Sequence, residues 1–115
     1  MILQTIKNKL QEVDTNVFYG AVDNRMKETL WNYIVFNRNN LKVNQNKTGY
    51  TDSYVVHIIR EEWIPEGLDM EVIEKMLEID GMRISGDGIY SYSYKPSTNT
   101  VIEMLSIEFV KPRKK

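Results

Sequence analysis

Residues 30–38 read LWNYIVFNR, and no other stretch restricts the fold of this chain so strongly. In an extended segment successive side chains point to opposite sides. Leu30, Ile34 and Phe36 then fall on one side, and Trp31, Tyr33 and Val35 on the other. A strand with one wet face alternates apolar and polar residues, whereas this one is apolar on both. With 115 residues the chain has one domain's worth of material to cover those two faces. Two coverings are open. In one, the strand is internal, with helices over one face and the N-terminal segment or the last hairpin over the other. In the other, a neighbouring subunit covers part of the second face.

The elements around this strand follow from residue spacing. Ile2, Ile6, Leu10 and Val13 recur at helical intervals, with Lys7, Asn8, Gln11 and Glu12 opposite, so residues 2–13 are expected to be an amphipathic helix. Asp14-Thr15-Asn16 ends it. Val17-Phe18-Tyr19 is a short strand stopped by Gly20, and residues 21–29 fit a helical turn or a loop equally well. The asparagine-rich stretch 39–49 is expected to be a long loop or the mobile end of a hairpin, because it has little apolar surface to bury. Tyr50–Trp63, built on YVVHII, is a long strand.

Pro65 and Gly67 break that strand, and Asp69 is placed to cap a helix over 70–80, with Leu68 and Ile73 as a staple and Gly81 as the stop. Glu71 and Glu74 suit the positive end of its dipole. Met82–Lys95 holds SGDG, a turn or bulge, and then the alternating IYSYSY. Pro96–Asn99 turns the chain into a last strand, Thr100–Val110, with Val101, Leu105, Ile107 and Phe109 on one face and Glu103 as the exception. The basic end KPRKK, residues 111–115, reads as a solvated, mobile tail. The expected architecture is a single α+β domain: a mostly antiparallel sheet of four to five strands packed by two helices.

Chemistry is scarce by comparison. The chain has no cysteine, which removes disulfides, thiolate metal sites and thiol nucleophiles. Its single histidine, His57, sits among apolar neighbours and cannot form a two-histidine site. Glu61-Glu62 and the Asp69/Glu71/Glu74 group lack the tight loop that gathers oxygens around a hard cation. Gly86-Asp87-Gly88 matches neither glycine-rich phosphate-binding pattern. No catalytic residue, metal or cofactor is expected. Fifteen basic against sixteen acidic residues leave a net charge of −1, with no global attraction to nucleic acid or anionic membrane. Gln4, Lys7, Asn8 and Lys9 interrupt any signal-peptide core, and apolar runs are too short to span a bilayer.

What remains is surface. Tyr90, Tyr92 and Tyr94 form a stripe interleaved with Ser91 and Ser93; base stacking would want interleaved Lys and Arg, so packing or subunit contact is the better reading. Trp31, Tyr33 and Val35 are contact candidates for the reason given above. In the polar stretch, Leu41, Lys42, Val43, Asn44, Gln45, Asn46 and Lys47 are candidates for a segment that orders on assembly, against the alternative of a simple disordered loop.

Taken in order, VFYG, WNYIVFNR, YVVHIIREEW, DMEVIEKMLEIDGMRI and VIEMLSIEFVKPRKK, behind an N-terminal helix, resemble the tail terminator (tail completion, or head–tail joining) proteins of long-tailed bacteriophages and prophages. The likeness covers nearly the whole chain and lies in pattern and spacing. It implies a non-enzymatic protomer without cofactor that assembles into a hexameric ring, caps the tail tube, ends its polymerisation and presents a surface to the head connector. The implied location is the head–tail joint of the virion, after assembly in the bacterial cytoplasm. The implied partners are other copies of the chain, the tail tube protein and the connector, with neither membrane nor specific nucleic acid. Three alternatives stay open: a head-side connector or minor capsid protein, a small-ligand binder or enzyme around His57 and the tyrosine stripe, and a regulatory protein acting on a host factor.

Overall fold

A computed structural model describes residues 1–21, 31–43 and 49–114. Its elements follow in the order α1 (Ile2–Gln11), β1 (Val17–Tyr19), β2 (Tyr33–Val43), β3 (Gly49–Glu61), α2 (Leu68–Leu77), β4 (Arg83–Tyr94) and β5 (Val101–Lys114). The strands form one sheet in the order β1-β2-β3-β5-β4. β1 runs parallel to β2, and every other pairing is antiparallel. This is the expected α+β fold, with five strands.

Both helices lie on the same side of the sheet. Ile6 and Leu10 of α1 and Val72 and Met76 of α2 pack against Ile34 and Phe36 of β2, Val56 and Ile58 of β3, and Leu105, Ile107 and Phe109 of β5. These positions are two apart along each strand, so one pleat face supplies the whole sheet half of the core. Burial of this cluster is the main stabilising term, because removing apolar area from water contributes about 25 cal/mol per Å². Across the helix pair, Lys9 meets Glu78 at 2.8 Å and Lys75 meets Glu12 at 3.0 Å. These ion pairs are half-exposed and contribute little beside the apolar contact.

Several boundaries differ from the sequence reading, each for a local reason. α1 stops at Gln11 because Asp14 turns the chain: its Oδ1 accepts the Asn16 N–H at 2.9 Å. α2 starts at Leu68, so Asp69 lies inside its first turn and does not cap it. Gly67, in a left-handed conformation, takes the capping position without a side-chain hydrogen bond. The SGDG segment is a bulge in β4, between Ser85 and Ile89.

Two polar segments are ordered as strand. Residues 39–43, expected in a long loop or at the end of a hairpin, take the hairpin form: they continue β2 beyond a bulge at Arg38/Asn40 and pair with β3, Asn40 with Ser53 through to Val43 with Tyr50. Lys111–Lys114, expected to be a free tail, continue β5 and pair with Gly49–Asp52. Arg113 bonds Asp52 at 3.1 Å and stands over the Tyr50 ring at 5.5 Å. Backbone pairing with β3 supplies in both places the order that apolar burial does not.

Candidate assembly surfaces

The sheet face away from the helices carries a second, smaller apolar group. Val35, Ile59 and Ile102 are buried at its centre, ringed by Phe18, Trp31, Tyr33 and Met104, which are partly buried. Phe18 and Tyr33 meet edge to face, with ring centres 6.1 Å apart. A hollow of about 260 Å³ opens between Trp31, Tyr33, Ile59, Met104 and the 91–93 stretch of β4. The Trp31 Nε1–H is shielded from solvent and has no hydrogen-bond partner. An orphaned donor of this kind costs about 1–3 kcal/mol, which marks the rim of this group as suboptimal in the isolated chain.

Among the described residues no helix or strand packs over this face. α1 and α2 contribute to the cluster on the other side, and the last hairpin, β4–β5, lies within the sheet itself. β2 is internal and one of its faces lies under the helices, as the first covering has it; on the other face the described N-terminal segment contributes only Phe18, and the β4–β5 hairpin does not fold over it. Leu30 and residues 22–29 lie outside the described residues.

The tyrosine stripe belongs to the opposite face. Tyr90 stands across from Leu105, Tyr92 from Glu103 and Tyr94 from Val101, so all three project on the helix-bearing side. They lie on the outermost strand, beyond the helices, and Tyr92 is 63% exposed. A hydrogen bond to Glu103 raises the Tyr92 phenol above its ordinary pKa. The six contact candidates thus form two separate surfaces, one per face.

His57 lies on the open face, between Val35 on β2 and Ser106 on β5. Its Nδ1 and the Ser106 Oγ are 2.7 Å apart, and burial lowers its pKa. A neutral imidazole beside a hydroxyl is half of a nucleophilic arrangement, which also needs an orienting group and a cavity for substrate. The hollow on this face is lined by Trp31 and Tyr33 and does not include His57. The tyrosine stripe, with which His57 was to form a ligand site, is on the far side of the sheet.

At the hairpin end, Leu41, Lys42 and Val43 are strand residues with exposed side chains. Asn44, Gln45, Asn46 and Lys47 lie outside the described residues. Glu108 anchors the start of this arm, accepting hydrogen bonds from Asn39 at 2.9 Å and Ser53 at 2.8 Å. The acids weighed as metal ligands are dispersed. Glu61 bonds Lys95 at 2.8 Å, and Glu62, past the end of β3, has a φ of 68°. Among the described residues no group of three or more metal-ligating side chains comes together. No helix of the described residues is long and apolar enough to cross a membrane.

Two features escaped the sequence reading. The alternation of Leu41 and Val43 was a usable strand signal within the polar stretch. The edge position of β4 was not legible, because strand order is set by which faces pack and not by any local pattern. No protein family's sequence profile matches this chain, and no curated protein matches it.

Proposed function

We propose that this chain is a structural subunit of a phage virion that caps the tail tube, ends its polymerisation and joins the tail to the head connector. The observation that carries the reading is the open sheet face. Its apolar centre, Val35, Ile59 and Ile102, is already buried beneath a rim of Phe18, Trp31, Tyr33 and Met104, and that partly buried rim, with no described element over it, is the surface on offer. A protein neighbour would remove the rest of that aromatic and methionine rim from water and could supply an acceptor for the Trp31 Nε1–H. The tail-terminator resemblance supplies the nature of the neighbours: further copies in a ring, the tube protein and the connector. In this reading the protein acts through its surfaces and without a cofactor, and its place is the head–tail joint.

Electron microscopy of particles assembled without this chain tests the proposal. Overlong tails detached from filled heads are the expected result. Tails of normal length beside leaking heads would move the chain to the head side of the joint. Intact, infectious particles would overturn the structural reading.

A further inference from the structure

The two edges of the sheet are managed differently. β1, at one edge, is three residues long and ends at Gly20, which leaves little backbone to recruit another strand. β4, at the other, is twelve residues long, and no described residue pairs with its outer side. Edge strands are ordinarily protected by charge, proline or brevity. From Ile89 to Tyr94 this one has no charge and no proline, alternates aromatic or β-branched residues with serine, and is exposed throughout except for Ser91.

We infer that β4 pairs with β4 of a second copy of this chain, antiparallel about a two-fold axis, to make one continuous ten-stranded sheet. The strand's own pattern argues for a second copy as the occupant. A two-fold axis perpendicular to the sheet keeps each face with its like, so Tyr90 meets Tyr92 on one face while Ser91 meets Ser91 and Ile89 meets Ser93 on the other. With Ser91 on the axis, Tyr90 lies across from Tyr92 of the second copy and Tyr94 covers Gly88. The same register brings Asp87 to the end of the strand that carries Lys95, at both ends of the pair. Lys95 is already fixed there by Glu61 at 2.8 Å. A strand uncharged from Ile89 to Tyr94, with the flanking Lys95 neutralised by its own Glu61, offers no charge to a partner of uniform charge, while its tyrosines match themselves across the axis. The inference does not depend on the tail-terminator reading, and it leaves the open apolar face free.

A junction of one strand pair is small, so the dimer is expected to be concentration-dependent. Sedimentation of the purified chain measures this directly. The absence of native cysteine permits a symmetry test with Ser91→Cys and Ser85→Cys. On oxidation the first should give a disulfide-linked dimer and the second should not, because the bulge leaves position 85 four ladder positions from the axis and two copies of it would stand about 26 Å apart at 3.3 Å per residue. Ser93→Lys sets a charge against Ile89 of the second copy, with only Ile102 across from it on β5, and should abolish dimerisation with the circular dichroism spectrum unchanged, since that side chain is exposed. A monomer at all concentrations to about 1 mM would overturn the inference. So would equal linkage at 85 and 91, or undiminished dimerisation of a folded Ser93→Lys. None of these outcomes bears on tail length, so failure here is distinct from failure of the proposed function.

Discussion

Asp14 and Arg60 meet at 2.6 Å, with both side chains largely buried, and this contact fastens the α1–β1 turn to the centre of the sheet. Arg60 also donates to the Ile59 and Tyr33 carbonyls, so its guanidinium is satisfied on several sides. Removing the carboxylate strands a charge with little access to water. Asp14→Ala should destabilise the fold by about 2–4 kcal/mol, somewhat less than for a fully buried pair. Urea unfolding of the two proteins checks this; a loss within experimental error would show that solvent replaces the lost partner.

Gly67 has a φ of 92° at the start of α2, and a Cβ built there meets no atom within 4 Å. The cost of Gly67→Ala is therefore one of backbone conformation alone, about 1–2 kcal/mol. Thermal unfolding should register it as a lower midpoint, with the far-ultraviolet spectrum unchanged.

His57 gives the stability a defined pH dependence. Burial holds its imidazole below the ordinary value of 6.5, so the unfolded chain takes up a proton before the folded one. Its contribution is flat above pH 6.5, declines as pH falls from there toward the folded value, and levels off below that. Compared with the native chain, His57→Gln should lose less stability over this window. Parallel profiles across it would show that the imidazole titrates alike in both states.

These relationships show which parts of the fold were legible. Helices with a periodic apolar face, such as α1 through Ile2, Ile6 and Leu10, and strands such as YVVHII declare themselves because burial alone orders them. The arms at 39–43 and 111–114 did not, because their order comes from pairing with β3, a partner distant in sequence. The two-sided apolar character of residues 30–38 left an internal strand and a subunit contact both open; strand order makes β2 internal, and which face lies under the helices was not legible in the pattern. Trp31, Tyr33 and Tyr92 were all candidates for contact, and their division between two faces depended on the register of β4 with β5.

The open face is the centre of the functional account, and complementation tests it most directly. Particles lacking this chain would be supplied with Trp31→Ala/Tyr33→Ala, and tails and joined heads counted by electron microscopy. Both side chains ring the small cluster and stand outside the main core. The account predicts a protein that unfolds cooperatively, as the native chain does, but fails to restore tails of normal length joined to heads. Full restoration by the folded variant would contradict it, and so would a variant that cannot fold, since these residues would then serve the interior and not a neighbour.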